Sequence, residues 1–166
     1  TRKVSSAELR SVFEGLGFDE VASFRTSGNV AFAAAGGSAA KLTKEIEPAL
    51  AKATGFDVTV FLRTAAELRA ITRHEPFDSR VVKQSKGKLQ VVLLGAKPSA
   101  AARKRALALA TEEDRLALSG RELYWLPSAG TRDAAIGPRA FDDVLGETTM
   151  RTMGTIGQMA AKFFAD

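Results

Sequence analysis

The chain has no cysteine, and only one histidine, one tyrosine and one tryptophan among its 166 residues. Without cysteine it can form no disulfide, no thiolate metal site and no cysteine nucleophile. His74 is the single imidazole, and no Asp or Glu spacing around it makes a ligand set, so no metal and no cofactor are expected. A serine or threonine nucleophile would have to draw on that one histidine, which sits in a polar helix end. The glycine-rich phosphate loops and the Gly-x-Ser-x-Gly elbow are both missing. No apolar run approaches the ~18 residues that cross a bilayer, and no signal-peptide pattern opens the sequence. The expected location is the cytoplasm, with no membrane partner.

What is present is an ordinary globular composition, 45% apolar and 26% charged, which suits one domain or two small ones. The net charge of +5 is unevenly placed. Residues 81–110 hold seven of the 24 basic residues and no acid, leaving 17 basic against 19 acidic elsewhere. The basic character therefore belongs to one central segment: Lys83, Lys86, Lys88, Lys97, Arg103, Lys104 and Arg105.

Periodicity and caps give the element order. Ser5-Ser6-Ala7-Glu8 is a capping box ahead of Leu9, Val12, Phe13 and Leu16 at helical spacing. Two short strands, 20–26 and 29–34, flank Ser27-Gly28-Asn29, a turn whose Gly and Asn tolerate positive φ. Ser38 caps a helix with Leu42, Ile46, Leu50 and Ala53 inside, and Gly55 ends it. Phe56, Val58, Val60 and Leu62 alternate as in a strand. Thr64 to Glu67 reads as a second capping box. Residues 75–88 are polar and read as an exposed connection.

The second part repeats this order. Leu89 to Ala96 is an apolar strand, and Pro98-Ser99 opens a helix to about Ala110. Strands 115–119 and 122–127 flank Ser119-Gly120-Arg121, and short helices follow at 138–145 and 154–164. The two Ser-Gly turns lie 92 residues apart. The same shift carries the first helix onto the helix after Pro98. The expected fold is α+β, with two ferredoxin-like β-α-β-β-α-β halves. Their bounds are residues 1–74 and 89–166, joined by 75–88. In such a half the opening strand is central, and the first half has none ahead of residues 5–16. Residues before Thr1 in the natural protein, or another segment, are expected to fill that position.

The order and spacing of Lys3-Val4-Ser5-Ser6-Ala7-Glu8-Leu9-Arg10, Leu16-Gly17-Phe18, Thr26-Ser27-Gly28-Asn29-Val30, Gly55-Phe56-Asp57-Val58, Arg63-Thr64-Ala65-Ala66-Glu67-Leu68 and Gly120-Arg121-Glu122-Leu123-Tyr124 resemble a widespread bacterial family of α+β proteins, a domain of unknown function. The resemblance implies a fold and no reaction. Members begin with a strand and a Leu-Leu-Arg-Gly-Ile-Asn-Val-Gly-like segment, neither of which is present here. Their Arg-Asn-Trp-Asn-Thr-Val motif corresponds to Arg151-Thr152-Met153-Gly154-Thr155-Ile156, where Arg151 and Thr155 keep the pattern. A Gly-Arg-Ser-Lys-like loop corresponds to Thr131-Arg132-Asp133-Ala134.

Two groups of residues are candidates for binding. Arg151, Thr152 and Thr155, at the opening of the last helix, with Arg132 from the upstream loop, combine guanidinium groups, hydroxyls and a helix N-terminus suited to an anion. Ordinary capping by the threonines is the plainer reading. Lys83, Lys86, Lys88, Arg103, Lys104 and Arg105 form the basic patch. Residues 81–110 contain no Phe, Tyr or Trp for base stacking, so nucleic acid is a weaker expectation than a solvated face. Tyr124 and Trp125, adjacent on one strand, are expected on opposite faces, one in the core and the other exposed or covered.

The leading expectation is a binding or interaction module for an anionic partner or for its own copy, which would make a homo-oligomer. One alternative is an enzyme acting on a small phosphorylated or carboxylated substrate between the halves, anchored by Arg151, Thr152 and Thr155. The other is weak contact with a nucleic-acid backbone through residues 83–105.

Overall fold

Two compact units divide the chain between Leu62 and Arg63. They are seen in a computed structural model that describes residues 3–25, 28–130 and 136–164. Among these residues are seven helices and two antiparallel sheets, an α+β protein.

In the first unit, helix α1 (Ser6–Gly15) is held by the full capping box. Glu8 N–H donates to Ser5 Oγ at 3.2 Å, and Ser5 N–H donates to the Glu8 carboxylate at 2.8 Å. Strands β1 (Asp19–Phe24) and β2 (Asn29–Ala33) pair antiparallel from Phe24–Asn29 outward, with a bulge between Asp19 and Ala22. The turn between them contains Gly28 at φ +78°, while Thr26 and Ser27 lie outside the described residues. Helix α2 (Ala39–Thr54) starts at the Ser38 cap and ends at Gly55 in the left-handed region, as the sequence predicts. Leu9 and Phe13 of α1 meet Ile46 and Leu50 of α2 in a small core, extended by the tilted rings of Phe13, Phe18 and Phe32.

The strand expected over residues 56–62 forms no ladder with any described strand. Its alternation is real, because Val58, Val60 and Leu62 all pack on the core. Val60 N–H instead donates to Glu47 Oε1 at 3.1 Å. Alternation decides which side chains turn inward, but a ladder also requires a strand alongside.

The second unit begins with α3 (Ala65–Arg73) and α4 (Ser79–Gln84), then runs β3 (Gln90–Leu94), α5 (Ala100–Leu107), β4 (Asp114–Ser119), β5 (Glu122–Pro127), α6 (Pro138–Leu145), β6 (Thr148–Thr152) and α7 (Met153–Phe163). The sheet order is β4-β5-β3-β6, antiparallel throughout. The first strand of the unit is thus interior, and all five residues of β3 are buried. One face of the sheet carries Val92, Leu94, Leu118, Leu123 and Trp125 against Ala106 of α5 and Phe141 of α6.

Two local readings are corrected in this unit. Residues 75–88 are not a bare exposed connection. They contain α4, and Ser85 Oγ donates to Pro127 O at 2.7 Å, which pins the segment to the end of β5. Helix α3, assigned by sequence to the first half, packs on α7 and belongs with the second unit. Tyr124 and Trp125 take opposite faces as expected, and both are buried, Trp125 edge-on to Phe141 and Tyr124 covered at the end of α3, 4.9 Å from the His74 ring.

Candidate functional site

The expected anion site lies at the junction of β6 and α7, and there the structure turns its donors inward. Thr152 is the N-cap of α7: Thr155 N–H donates to its Oγ at 3.1 Å, and its hydroxyl donates to Thr155 Oγ at 2.9 Å. Met153 N–H donates to Leu89 O at 2.9 Å. Two backbone donors of the first helical turn are therefore engaged within the fold, as in ordinary capping. Arg151 stands opposite Val91 in the β3–β6 ladder. Its Nη1 donates to Thr149 Oγ1 at 2.9 Å and to Met150 O at 2.8 Å. Burial holds the Arg151 pKa below the usual arginine value. Arg132 lies outside the described residues.

The six cations of the basic patch do not converge either. Lys83 closes α4, and Lys86 and Lys88 follow it, all exposed. Lys86 lines an open depression of about 440 Å³ together with Glu112, Glu113, Arg115 and Ser128, so acids stand among the bases there. Arg103, Lys104 and Arg105 are on α5, where Arg103 Nη1 donates to Leu118 O at 2.8 Å. Glu113 and Leu118 stand near opposite ends of β4. At ~3.3 Å per residue they are roughly 17 Å apart, beyond the Debye length of physiological salt.

A charged cluster that sequence reasoning missed sits where β3 ends and the β4–β5 hairpin turns. Arg63 Nη2 donates to Leu94 O and to Arg121 O, both at 2.9 Å, and stands 3.5 Å from Glu122 Oε2. Its side chain is only 4% exposed. Burial pulls the Arg63 pKa down, partly opposed by Glu122. Arg121 is ion-paired with Glu67 on α3. The predicted capping box of α3 is therefore half a box: Thr64 accepts from Glu67 N–H, but the Glu67 carboxylate faces Arg121. The one signal in the sequence is a lone Arg directly before Thr64, at the end of an apolar run. The cluster joins the head of the second unit to its hairpin; it brings two acids, two cations and a buried phenol near one another with each guanidinium already engaged.

Among the described residues, no helix is long and apolar enough to cross a membrane. Among curated proteins none matches the chain. A solved structure, that of the conserved bacterial protein SP0830 from Streptococcus pneumoniae, is similar over 96% of this chain and 91% of that one, with a TM-score of 0.68. At 19% sequence identity the likeness speaks for the fold alone. The sequence signature described as "Protein of unknown function (DUF1697)" matches residues 1–124, three quarters of the chain, and the chain belongs to that family.

Proposed function

We propose that this protein is an interaction module, built on two copies of one β-α-β-β-α-β plan, whose first unit offers an apolar face to another polypeptide. One observation carries the reading. Among the described residues, Leu9, Phe13, Ile46 and Leu50 are the buried members of the first core, while Val30, Phe32, Val58 and Val60 around them are only partly buried. Apolar side chains gathered in one place and only half-covered mark a contact surface. The binding groups expected from sequence support the reading less, since the donors at Arg151, Thr152 and Thr155 serve the fold itself and the bases divide between two places.

The test is association. Sedimentation velocity over a concentration series is expected to show mass rising with concentration, or a hydrophobic dye to bind the first unit. Val58→Asp is expected to abolish either effect while leaving the circular dichroism unchanged. A monomer at every concentration that binds no dye overturns the reading.

A further inference from the structure

The sheet of the second unit is open, with β4 at one edge and β6 at the other, and the chain's own groups occupy both edges. The ladders fix which main-chain groups face outward. Leu94 N–H donates to Arg121 O, and Met153 N–H donates to Leu89 O. Bonded and non-bonded pairs alternate along an antiparallel ladder. With the registers of the sheet, Asp114, Leu116 and Leu118 therefore turn their main-chain groups to the free side of β4, and Thr148, Met150 and Thr152 theirs to the free side of β6. Asp114 is closed by Thr111, whose N–H donates to Asp114 O at 3.0 Å and whose Oγ1 accepts from Asp114 N–H at 2.9 Å. Leu118 O accepts from Arg103 Nη1 of α5 at 2.8 Å. On β6, Thr148 N–H donates to Asp142 Oδ1 at 3.0 Å, and Met150 O accepts from Arg151 Nη1 at 2.8 Å.

We propose that Arg103 is an edge stop: by holding Leu118 O it keeps β4 from pairing with β4 of a second copy. The strand itself names the occupant that is excluded. Identical edges meet antiparallel about a two-fold axis. With Asp114 closed, the register that uses the rest of the edge sets Leu116 against Leu118 of the other copy. Each copy must then offer its Leu118 carbonyl as an acceptor, and a charge-assisted bond already takes that carbonyl. The side chains would favour the pairing, since Leu116 and Leu118 share the core face and apolar cross-strand pairs stabilise a ladder. Unpaired edge groups are a template for another chain, and a charged side chain on the edge withholds them. Arg103 thus has a task that its neighbours Lys104 and Arg105 do not share. The inference does not depend on the apolar face of the first unit.

The test compares Arg103→Met with Arg105→Met, which removes a charge from the same helix and leaves the bond to Leu118 O in place. Both are made in the Val58→Asp chain and followed over a concentration series by sedimentation velocity and amide hydrogen exchange. The Arg103→Met chain is expected to gain mass with concentration, and its Leu116 and Leu118 amides to exchange about tenfold or more slowly in the concentrated sample. The Arg105→Met chain and the Val58→Asp chain alone are expected to show no such slowing. Those two amides read the β4 edge whatever the first unit does. A folded Arg103→Met chain whose Leu116 and Leu118 amides exchange equally fast at every concentration overturns the edge stop, and so does equal slowing in Arg105→Met. If Arg103→Met loses the native Trp125 fluorescence, Arg103→Ala is read in its place against the same outcomes.

Discussion

Tyr124 and Trp125 occupy neighbouring positions on β5 and are buried by different means, which makes each a reporter. The Tyr124 hydroxyl is pushed up to about 12, first by burial and then by the nearby Glu122, with Arg63 opposing. A raised folded-state value means that the neutral phenol is favoured in the fold. Its contribution is fully present below the unfolded value near 10 and is lost as pH rises through about 12. A rise of that size corresponds to about 2–3 kcal/mol. Stability measured by urea unfolding is expected to fall across that window, and Tyr124→Phe to flatten the fall. Because the chain has a single tyrosine, its tyrosinate absorbance should titrate in one step near the upper end; a step near 10 contradicts the burial argument. Trp125 is held by Asp114, a buried carboxylate whose Oδ1 accepts the indole N–H at 3.0 Å. Asp114→Ala leaves that N–H without its acceptor and is expected to cost about 1–3 kcal/mol, whereas Asp114→Asn, which keeps an acceptor, is expected to cost less. The tryptophan fluorescence reads both, since no second indole contributes. The alternation of a strand already places these two aromatics on opposite faces. It cannot reveal that α3, far away in the chain, covers the tyrosine.

At the scale of elements, the segment 79–88 is where local rules lose most. Its residues are polar and lysine-rich, and only the packing makes α4 and the following turn part of the sheet's end. Gly87 shows how tight that packing is. A Cβ there would lie 2.1 Å from Pro127 O and 2.6 Å from Ala129 O, both backbone atoms that cannot step aside. Gly87→Ala is therefore expected to cost about 1–3 kcal/mol, as overpacking does. It should also raise proteolytic cleavage within 79–88, read by limited digestion; an unchanged stability and digestion pattern would show that the turn is free of β5. Caps are the most legible elements: Ser5, Ser38, Thr64 and Ser99 all accept a backbone N–H three residues on. A cap is a local bond between near neighbours, so its residues can be read in place. Strand β6 is illegible for the opposite reason. Thr148-Thr149-Met150-Arg151-Thr152 is a polar edge strand without apolar alternation, placed by the neighbouring β3 and by the bonds of Thr148 to Asp142, neither of which its own pattern shows. The same limit explains the anion site. Arg151 and the two threonines do stand together, but nothing in their order along the chain shows that their donors close on Thr149, Met150 and one another.

Among the described residues, the core around Phe141 is more complete than the core of the first unit, and that inequality has a measurable consequence. The second core joins eight buried residues, among them Trp125 and Phe141, around a central strand buried along its length. The first has four, ringed by apolar side chains that water still reaches. Burial of apolar surface is the main favourable term in folding, at ~25 cal/mol per Å². Half-covered side chains return only part of it, so the first unit is expected to be the less stable of the two. The tryptophan sits in the second unit, while helices α1 and α2 give the first a large share of the far-ultraviolet signal. Urea is therefore expected to reduce the circular dichroism before it changes the fluorescence, so that the two curves separate, which a two-state protein would not show. Leu50→Ala, in the first core, should move the early part of the dichroism curve to lower urea and leave the fluorescence midpoint in place. Leu123→Ala, in the second, should shift the fluorescence midpoint down by the equivalent of about 2–5 kcal/mol. Coincident curves for the unsubstituted chain, with Leu50→Ala moving both probes equally, would mean that the chain unfolds as one and that the openness of the first core has no bearing on its stability.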